Sequence, residues 1–247
     1  MGDHPTTILS LRAVEQLVRQ GDEVLDVGCG PGRHAYELAR RGITVHGIDI
    51  SQRFVDLARD GAPDGATFER LDARDLQFDG EFDAAICLCQ GAFGLMTAGG
   101  DDARVLSGIA RALRPGGRLA LSAFNAYFAV RHFDGTDGAD GTAVSFDADT
   151  GVNHERTEVR DESGRPLTVD LWTGCYTPRE LRLLCAASGL GARLWQLPVG
   201  LLLDMWGPRA VQSGMAATAV TSAGTRRSAT CVVTWMTRSS RPIRSIA

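Results

Sequence analysis

The sequence predicts an α/β fold built on a doubly wound, mostly parallel β-sheet. Short apolar runs alternate with segments of helical periodicity between residues 22 and 123, and this alternation is typical of parallel strands joined by helices. The first apolar run, Val24–Val27, passes through a glycine-rich turn into helical periodicity. Because ligands of such folds bind at the carboxyl ends of the strands, the residues that follow each strand are the first candidates for a binding site.

The glycine-rich turn is the most informative stretch of the chain. It reads Asp26-Val27-Gly28-Cys29-Gly30-Pro31-Gly32-Arg33-His34. Glycines let backbone N–H groups approach a ligand closely, and the helix N-terminus behind them presents unpaired N–H donors. A dinucleotide-binding loop would need glycine or alanine at Arg33, and Asp26 would repel a pyrophosphate. Asp26 suits an ammonium group instead.

Four motifs, taken in their order along the chain, resemble those of class I S-adenosylmethionine-dependent methyltransferases. The first is the glycine loop, Asp26–Gly32. The second, Ile48-Asp49-Ile50, closes a predicted strand; Asp49 lies 23 residues after Asp26 and resembles the acidic position that binds the ribose hydroxyls. Asp72-Ala73 resembles the pair that contacts the adenine, and Arg114-Pro115-Gly116-Gly117 is similar to the turn before the family's fifth strand.

The resemblance implies an enzyme that uses S-adenosyl-L-methionine as methyl donor. The residues expected to bind this cofactor are Asp26, Gly28, Cys29, Gly30, Gly32, His34, Asp49, Ile50, Asp72, Ala73, Cys89 and Gln90. The segment after the fourth predicted strand, Cys87–Gly94, lacks the Asn/Asp-Pro-Pro-aromatic signature of nucleic-acid amino-methyltransferases and the Pro-Cys pair of cytosine-C5 enzymes. We therefore expect Cys89 to pack near the methyl donor and Gln90 to orient a substrate or the methionine moiety.

Each further element follows from its own local pattern. Beyond the first strand, strands are predicted at Thr44–Asp49, Thr67–Arg70, Phe82–Leu88, Leu119–Ala123, Arg193–Leu197 and Thr230–Met236. Helices are predicted at Pro5–Arg19, at Ser51–Arg59 with Ser51 as N-cap, at Asp101–Leu113, and from the capping box Thr177-Pro178-Arg179-Glu180 to Gly189. The resemblance implies a Rossmann-like seven-stranded sheet, in which the sixth and seventh strands pair antiparallel at one edge.

An insertion of about residues 124–176 is predicted after the fifth strand. Phe133–Gly151 is rich in glycine and aspartate, which predicts a mobile loop. Val152–Arg160 and Pro166–Gly174 alternate apolar and polar residues, which predicts an antiparallel β-hairpin. This inserted hairpin should lie over the mouth of the cofactor pocket.

Methyl transfer needs an aligned acceptor and often no obligatory base, but a hydroxyl acceptor benefits from one. The candidate bases are His132, His154 and Glu155, with His34 and Asp170 as further possibilities. Tyr127, Trp172 and Tyr176 could form the wall of a site for an aromatic acceptor.

The composition narrows the class of protein. No apolar run reaches membrane-spanning length, and the N-terminus lacks a basic start followed by an apolar core, so we expect a cytoplasmic protein without membrane contact. The six cysteines include no Cys-x-x-Cys pair, so neither a metal nor a disulfide framework is expected. The chain has no lysine, which excludes a Schiff-base mechanism through lysine.

The charge is unevenly distributed between residues 1–204, the predicted methyltransferase domain, and a basic, irregular tail at 205–247. The tail holds six of the 26 arginines and none of the 30 acidic residues, so the domain carries a net charge of −10. The tail is expected to contribute at most the last strand, at 230–236. Its composition fits either a genuine extension or a shifted reading frame in GC-rich coding sequence.

Three functions remain open at this point. The first is methyl transfer to an oxygen or nitrogen of a small-molecule acceptor. The second is an RNA methyltransferase that docks through the basic tail, although so negative a domain is a poor surface for a nucleic-acid backbone. The third is an adenosylmethionine-binding domain without catalysis. The sequence leaves the oligomeric state undetermined.

Overall fold

Two β-sheets and five helices make up the described part of the chain. The computed structural model describes residues 14, 17–88, 91–95, 101–132, 134–137, 143–160, 164–198 and 229–237. The strands are β1 (Glu23–Val27), β2 (Thr44–Asp49), β3 (Ala66–Arg70), β4 (Phe82–Cys87), β5 (Leu113–Ser122), β6 (Phe124–Asn125), β7 (Asp134–Asp137), β8 (Ala143–Asp147), β9 (Val152–Arg160), β10 (Pro166–Tyr176), β11 (Leu190–Pro198) and β12 (Ala229–Thr237). The helices are α1 (Arg33–Arg40), α2 (Gln52–Asp60), α3 (Asp102–Ala112), α4 (Ala126–His132) and α5 (Pro178–Ala187), with a 3-10 turn at Ala73–Asp75.

The first sheet has the strand order β11-β12-β5-β4-β1-β2-β3. Neighbouring strands in it run parallel, so the predicted Rossmann-like fold with a mostly parallel sheet is confirmed. In β1, Val24, Leu25 and Val27 are buried, as expected for a strand covered on both faces. The carboxyl ends of β1, β2 and β4 therefore meet at one edge of the sheet, where the glycine loop begins.

β12 differs from the expected antiparallel edge pair. It lies between β5 and β11 and runs parallel to both, so the prediction of antiparallel pairing is wrong. Parallel neighbours need a connection of a dozen residues or more, and the 30 residues at 199–228 provide that length. A short hairpin turn would have forced the antiparallel arrangement.

The second sheet has the order β6-β10-β9-β8-β7. Two of its strands, β7 and β8, lie within Phe133–Gly151 and pair antiparallel, so the prediction of a mobile loop is wrong for the described residues there. Val144 and Phe146 on β8 pack against a buried cluster made of Ala126, Phe128, Ala129 and Cys175. Alternation of these two apolar side chains favours a strand in spite of the surrounding aspartates and glycines.

The longest strands of the second sheet, β9 and β10, pair antiparallel from Val152↔Gly174 to Arg160↔Pro166. β10 continues to Tyr176 and pairs there with β6, which directly follows β5. The buried Asn125 then starts α4, because its side-chain oxygen accepts hydrogen bonds from the N–H groups of Tyr127 and Phe128. These contacts attach the second sheet to the carboxyl edge of the first.

Several predicted segments lie wholly or partly outside the described residues. Of the predicted helix Pro5–Arg19, only residues 14 and 17–19 are described, and Val14 and Leu17 belong to the buried core. Residues 199–228 and 238–247 of the chain's last part are also outside. Among the helices that the structure does describe, none has the length and apolar character needed to cross a membrane.

Candidate functional site

The glycine loop turns the chain sharply from β1 into α1. Gly28, Gly30 and Gly32 have φ angles of 72°, 54° and 83°, which lie in the left-handed region that favours glycine. The N–H groups of Gly28 and Cys29 both donate to the carbonyl oxygen of Ile48, at 2.9 Å. The loop is therefore held against the end of β2.

A second glycine, Gly91, lies against the first one of the loop. A Cβ atom added at Gly28 would be 2.3 Å from the carbonyl carbon of Gly91, and one added at Gly91 would be 2.3 Å from the carbonyl oxygen of Gly28. Only glycine at both positions permits this approach of two backbones. Gly91 was not among the predicted site residues, although a glycine after a buried strand is a usable signal.

Asp49, the last residue of β2, holds the glycine loop in place by a hydrogen bond. Its Oδ2 accepts a hydrogen bond from the N–H of Gly30 at 2.9 Å, and its Oδ1 accepts one from the N–H of Ser51 at 2.8 Å. Each carboxylate oxygen can accept a second bond. Asp49 can therefore hold the loop and still receive two hydroxyl donors from a ligand.

Asp26, at the end of β1, is a buried carboxylate, only 2% exposed. Its Oδ2 has no hydrogen-bond partner within the described part of the chain. Burial raises the pKa of Asp26 to about 7; the nearby charge of Asp49 adds to this rise, and a hydrogen bond with the backbone of Ala35 opposes it. A buried oxygen without a donor is costly, and a cationic ligand group would satisfy it.

A pocket opens at this edge of the first sheet. Its walls are formed by Gly28, Ile48, Asp49, Ile50, Leu71, Asp72, Ala73, Arg74, Gly91, Ala92, Leu95, Asp101, Asp102 and Val105. Five of the predicted cofactor residues are among them: Gly28, Asp49, Ile50, Asp72 and Ala73. The wall also includes Arg74 and Asp102, which sequence reasoning missed because neither belongs to one of the four motifs.

Asp72 is fixed by its neighbour Arg74. The Nε of Arg74 donates to Oδ1 of Asp72 at 2.9 Å, and this side-chain hydrogen bond holds the pKa of Asp72 below its ordinary value. Arg74 also reaches Oδ2 of Asp101 at 3.4 Å. The Asp72 carboxylate, at the start of the 3-10 turn, is therefore ionised and oriented by Arg74.

Other residues of the predicted set are not among the pocket wall residues or lie outside the described residues. His34 and Cys29 are buried; burial lowers the pKa of His34 to about 4, so the ring is neutral, and burial raises the pKa of the Cys29 thiol. Five predicted residues are absent from the wall residues: Asp26, Cys29, Gly30, Gly32 and His34. Cys89 and Gln90 lie outside the described residues.

The candidate bases are placed on the second sheet. Nε2 of His154 lies 2.7 Å from Oδ1 of Asp170, and the His154 ring stacks on Trp172 with ring centroids 4.9 Å apart. Arg156, together with His154, lowers the pKa of Asp170. The structure thus brings two of the candidates together, but neither is among the pocket wall residues. Glu155 points to the opposite face of β9, as adjacent strand residues do, and the side chain of His132 lies outside the described residues.

No group of three or more histidine, cysteine, aspartate or glutamate side chains in the described ranges is arranged to hold a metal ion. The polar groups at or near the pocket are instead backbone N–H groups and the carboxylates Asp26 and Asp49 at strand ends, beside small residues. This set fits a ligand that carries hydroxyls, an ammonium group and a flat ring.

Comparison with known proteins decides the family. Residues 24–117 match the sequence profile of the family described as Methyltransferase domain. Over residues 24–117, the chain carries a methyltransferase domain of the class I, S-adenosylmethionine-dependent type. The matched range begins in β1 and ends in β5, so it includes the glycine loop, Asp49 and the Asp72-Ala73 pair.

Two named methyltransferases also match part of this chain. Methyltransferase GfsG of Streptomyces halstedii is 40% identical over 123 residues, which are 45% of this chain and 42% of GfsG. The 27-O-demethylrifamycin SV methyltransferase of Amycolatopsis mediterranei is 38% identical over 130 residues, 49% of this chain and 46% of that enzyme. The matches therefore span less than half of the length of these two relatives.

A solved structure covers more of this chain. The S-adenosylmethionine-bound structure of CalS10, an amino pentose methyltransferase from Micromonospora echinaspora involved in calicheamicin biosynthesis, has a TM-score of 0.56 and 25% identity. The match covers 75% of this chain and 82% of CalS10. This range is longer than the family match and reaches beyond the first five strands.

Proposed function

We propose that this chain transfers the methyl group of S-adenosylmethionine to an oxygen or nitrogen of a small-molecule acceptor. The observation that carries the proposal is the pair of carboxylates, Asp26 and Asp49, at the ends of adjacent parallel strands on either side of a left-handed glycine loop. When bound, the cofactor supplies an electrophilic sulfonium methyl group. The protein residues bind it, orient it and keep water away.

Each residue has a part in binding that follows from its contacts. Asp49 would receive the ribose hydroxyls through the free lone pairs of its two oxygens. Asp26 would receive the ammonium group through its unpartnered Oδ2. Asp72 and Ala73, fixed at the 3-10 turn, would meet the adenine, and Ile50 would cover its face.

The reaction itself asks mainly for alignment of donor and acceptor. Holding two reactants in line can contribute about 7–11 kcal/mol, so no group of the first sheet needs to act as a base. For a hydroxyl acceptor, His154 is the proposed proton acceptor, since Asp170 would stabilise the charged ring. The hairpin β9–β10 would then cover the acceptor.

Two observations support a small-molecule acceptor: the names of the relatives and the net charge of residues 1–204. The names of two of these relatives refer to small molecules, demethylrifamycin SV and an amino pentose, and these correspond to an oxygen and to a sugar acceptor. The net charge of −10 over residues 1–204 disfavours a nucleic-acid backbone as the docking partner. We therefore infer a small, neutral or cationic acceptor.

Calorimetric titration with S-adenosylmethionine tests the donor half of the proposal. We expect micromolar-class binding to the intact chain, and a loss of roughly 10–100-fold in Asp49→Ala, because two hydrogen bonds to an ionised group are removed. Asp147→Ala is the matched control, since Asp147 also accepts from a backbone N–H two residues ahead, that of Asp149, but lies outside the pocket wall. Absence of binding, or equal losses in both variants, would refute the proposed donor site.

An acceptor panel tests the other half. Release of adenosylhomocysteine with hydroxylated or amino-substituted small molecules supports the proposal. Release only with RNA, with an affinity for RNA that falls steeply with salt and disappears on deletion of 205–247, would replace it by RNA methylation. Cofactor binding without release for any acceptor would leave a non-catalytic binding domain.

A further inference from the structure

The segment Gly91–Leu95, which we call the bridging loop, lies between the two sheets. At one end it touches the glycine loop, because Gly91 packs on Gly28. At the other end it joins β10: the carbonyl oxygen of Gly94 accepts the N–H of Gly174 at 2.8 Å, and Leu95 forms a β-bridge with Thr173. The bridging loop therefore contacts both the cofactor pocket and the second sheet.

Asp102, in the first turn of α3, fixes this bridging loop. Its Oδ1 accepts the N–H of Gly94 at 2.9 Å, and its Oδ2 accepts the hydroxyl of Tyr176. The carboxylate is only 4% exposed and yet belongs to the pocket wall. The ring of Tyr176 packs on Phe93, with ring centroids 5.2 Å apart. One buried carboxylate thus connects α3, the bridging loop and the end of β10.

We propose that Asp102 and Tyr176 are positioning residues, which latch the bridging loop to β10 and thereby set the place of the acceptor-side sheet relative to the cofactor pocket. The proposal rests on the proposed function, since it assumes that the pocket holds the cofactor. It assigns Tyr176 a role in coupling rather than in the wall around an aromatic acceptor.

The two hydrogen bonds of Asp102 can couple the cofactor pocket to the second sheet in addition to stabilising the fold. A buried carboxylate needs donors on both oxygens, and here one donor belongs to the pocket side and the other to the second sheet. Gly91, Ala92 and Leu95 of the same loop line the pocket. A ligand that orders these residues should therefore also order residues 173–176 through Asp102.

Hydrogen–deuterium exchange with and without adenosylhomocysteine tests the latch. In the wild-type chain we expect the ligand to slow exchange in residues 26–32, 91–95 and 173–176. In Tyr176→Phe, which keeps the ring on Phe93, the slowing at 173–176 should fall at least ~3-fold while that at 26–32 persists. Asp102→Ala should behave like Tyr176→Phe. Asp102→Asn should retain the latch, because an amide can accept from Gly94 and donate to the phenol oxygen.

Tyr36→Phe is the matched control. The hydroxyl of Tyr36 also donates a buried hydrogen bond, to the carbonyl oxygen of Ala58 at 2.6 Å, but it joins two helices on the first sheet only. This variant should keep the ligand-induced slowing at 173–176. The proposal would be overturned if the ligand slowed exchange at 173–176 in Tyr176→Phe as much as in the wild type. It would also be overturned if Tyr36→Phe lost as much of this slowing as Tyr176→Phe.

A failure of cofactor binding is distinguishable from a failure of the latch. If adenosylhomocysteine protects no residue in the wild-type chain, the proposed function is refuted. The latch is then judged without ligand: the amides of Gly94 and Gly174 should exchange faster in Tyr176→Phe than in Tyr36→Phe. Equal rates in those two variants would refute the latch as well.

Discussion

The two sheets of this molecule present their chemistry in different ways. At the first sheet, the pocket's carboxylates lie at or just beyond strand ends and at helix starts, as Asp49, Asp72 and Asp102 do, and each is held by backbone N–H groups, by Arg74 or by Tyr176. On the second sheet, the candidate polar groups, His154 and Asp170, lie along the strands and contact each other, and the His154 ring stacks on Trp172. Under the proposed function, chain geometry fixes the donor site, while side chains on the strand surface determine the acceptor side.

Substitution of Gly28 should have the largest effect on the first region. Gly28→Ala places a Cβ atom 2.3 Å from a backbone carbon of Gly91, at a φ of 72°, and the loop cannot yield without moving the pocket wall. We expect adenosylhomocysteine affinity to fall at least ~100-fold, equivalent to about 3 kcal/mol. Calorimetry measures this loss.

Gly116→Ala is the control for this substitution. Gly116 has a φ of 82° and nothing within 4 Å of an added Cβ, so it carries the same backbone strain without the clash. Its cofactor affinity should match the wild type. A similar loss in both variants would show that backbone strain, and not the Gly28–Gly91 approach, explains the result.

The pH dependence of binding should have an intermediate effect. The ionised form of Asp26 attracts an ammonium group, and its pKa of about 7 means that affinity is lost as the pH falls through 7. Between pH 7.5 and pH 6.0 the ionised fraction, and with it the affinity for adenosylhomocysteine, should fall ~8-fold. Asp26→Asn should remove this dependence.

Methylthioadenosine provides the control for the pH experiment, because it lacks the amino-acid group that would face Asp26. Its affinity should change little over the same pH range. If both ligands respond equally to pH, the titrating group acts on the nucleoside and the assignment of Asp26 is wrong.

A core substitution in the second region should have the smallest effect on cofactor binding. Phe128 is buried in the cluster beneath β8 and β10, so Phe128→Ala should cost about 3–5 kcal/mol there. Trypsin should then cut faster after Arg156, while adenosylhomocysteine affinity changes less than ~3-fold. Loss of affinity in parallel with the faster cleavage would show that the two regions fold as one cooperative unit.

The sequence predicted what depends on local pattern. Ser51 caps α2 and Thr177 forms the expected capping box at α5, because a cap needs only residues three positions apart. The glycine loop and the end of β2 are equally local. For these reasons most of the first sheet, and the part of the site that it carries, could be predicted.

What the sequence did not reveal depends on distant contacts. Asp102 and Tyr176 are 74 positions apart, and Gly91 meets Gly28 across two strands, so neither pairing leaves a local pattern. The orientation of β12 depends on a long connection rather than on its own residues. In β8, the frequent aspartates around Val144 and Phe146 concealed the alternation that favours a strand.

Photolabelling with methyl-labelled S-adenosylmethionine followed by peptide mapping tests the central claim, that the edge of the first sheet holds the cofactor. Cleavage after arginine separates the glycine loop, Asp49 and the bridging loop from β7, β8, β9 and β10. We predict label in peptides 20–33, 42–53 or 75–104, which contain the glycine loop, Asp49 and the bridging loop, and its removal by excess adenosylhomocysteine. Label confined to peptides 132–156 or 161–179 of the second sheet, or label that adenosylhomocysteine does not displace, would contradict the account.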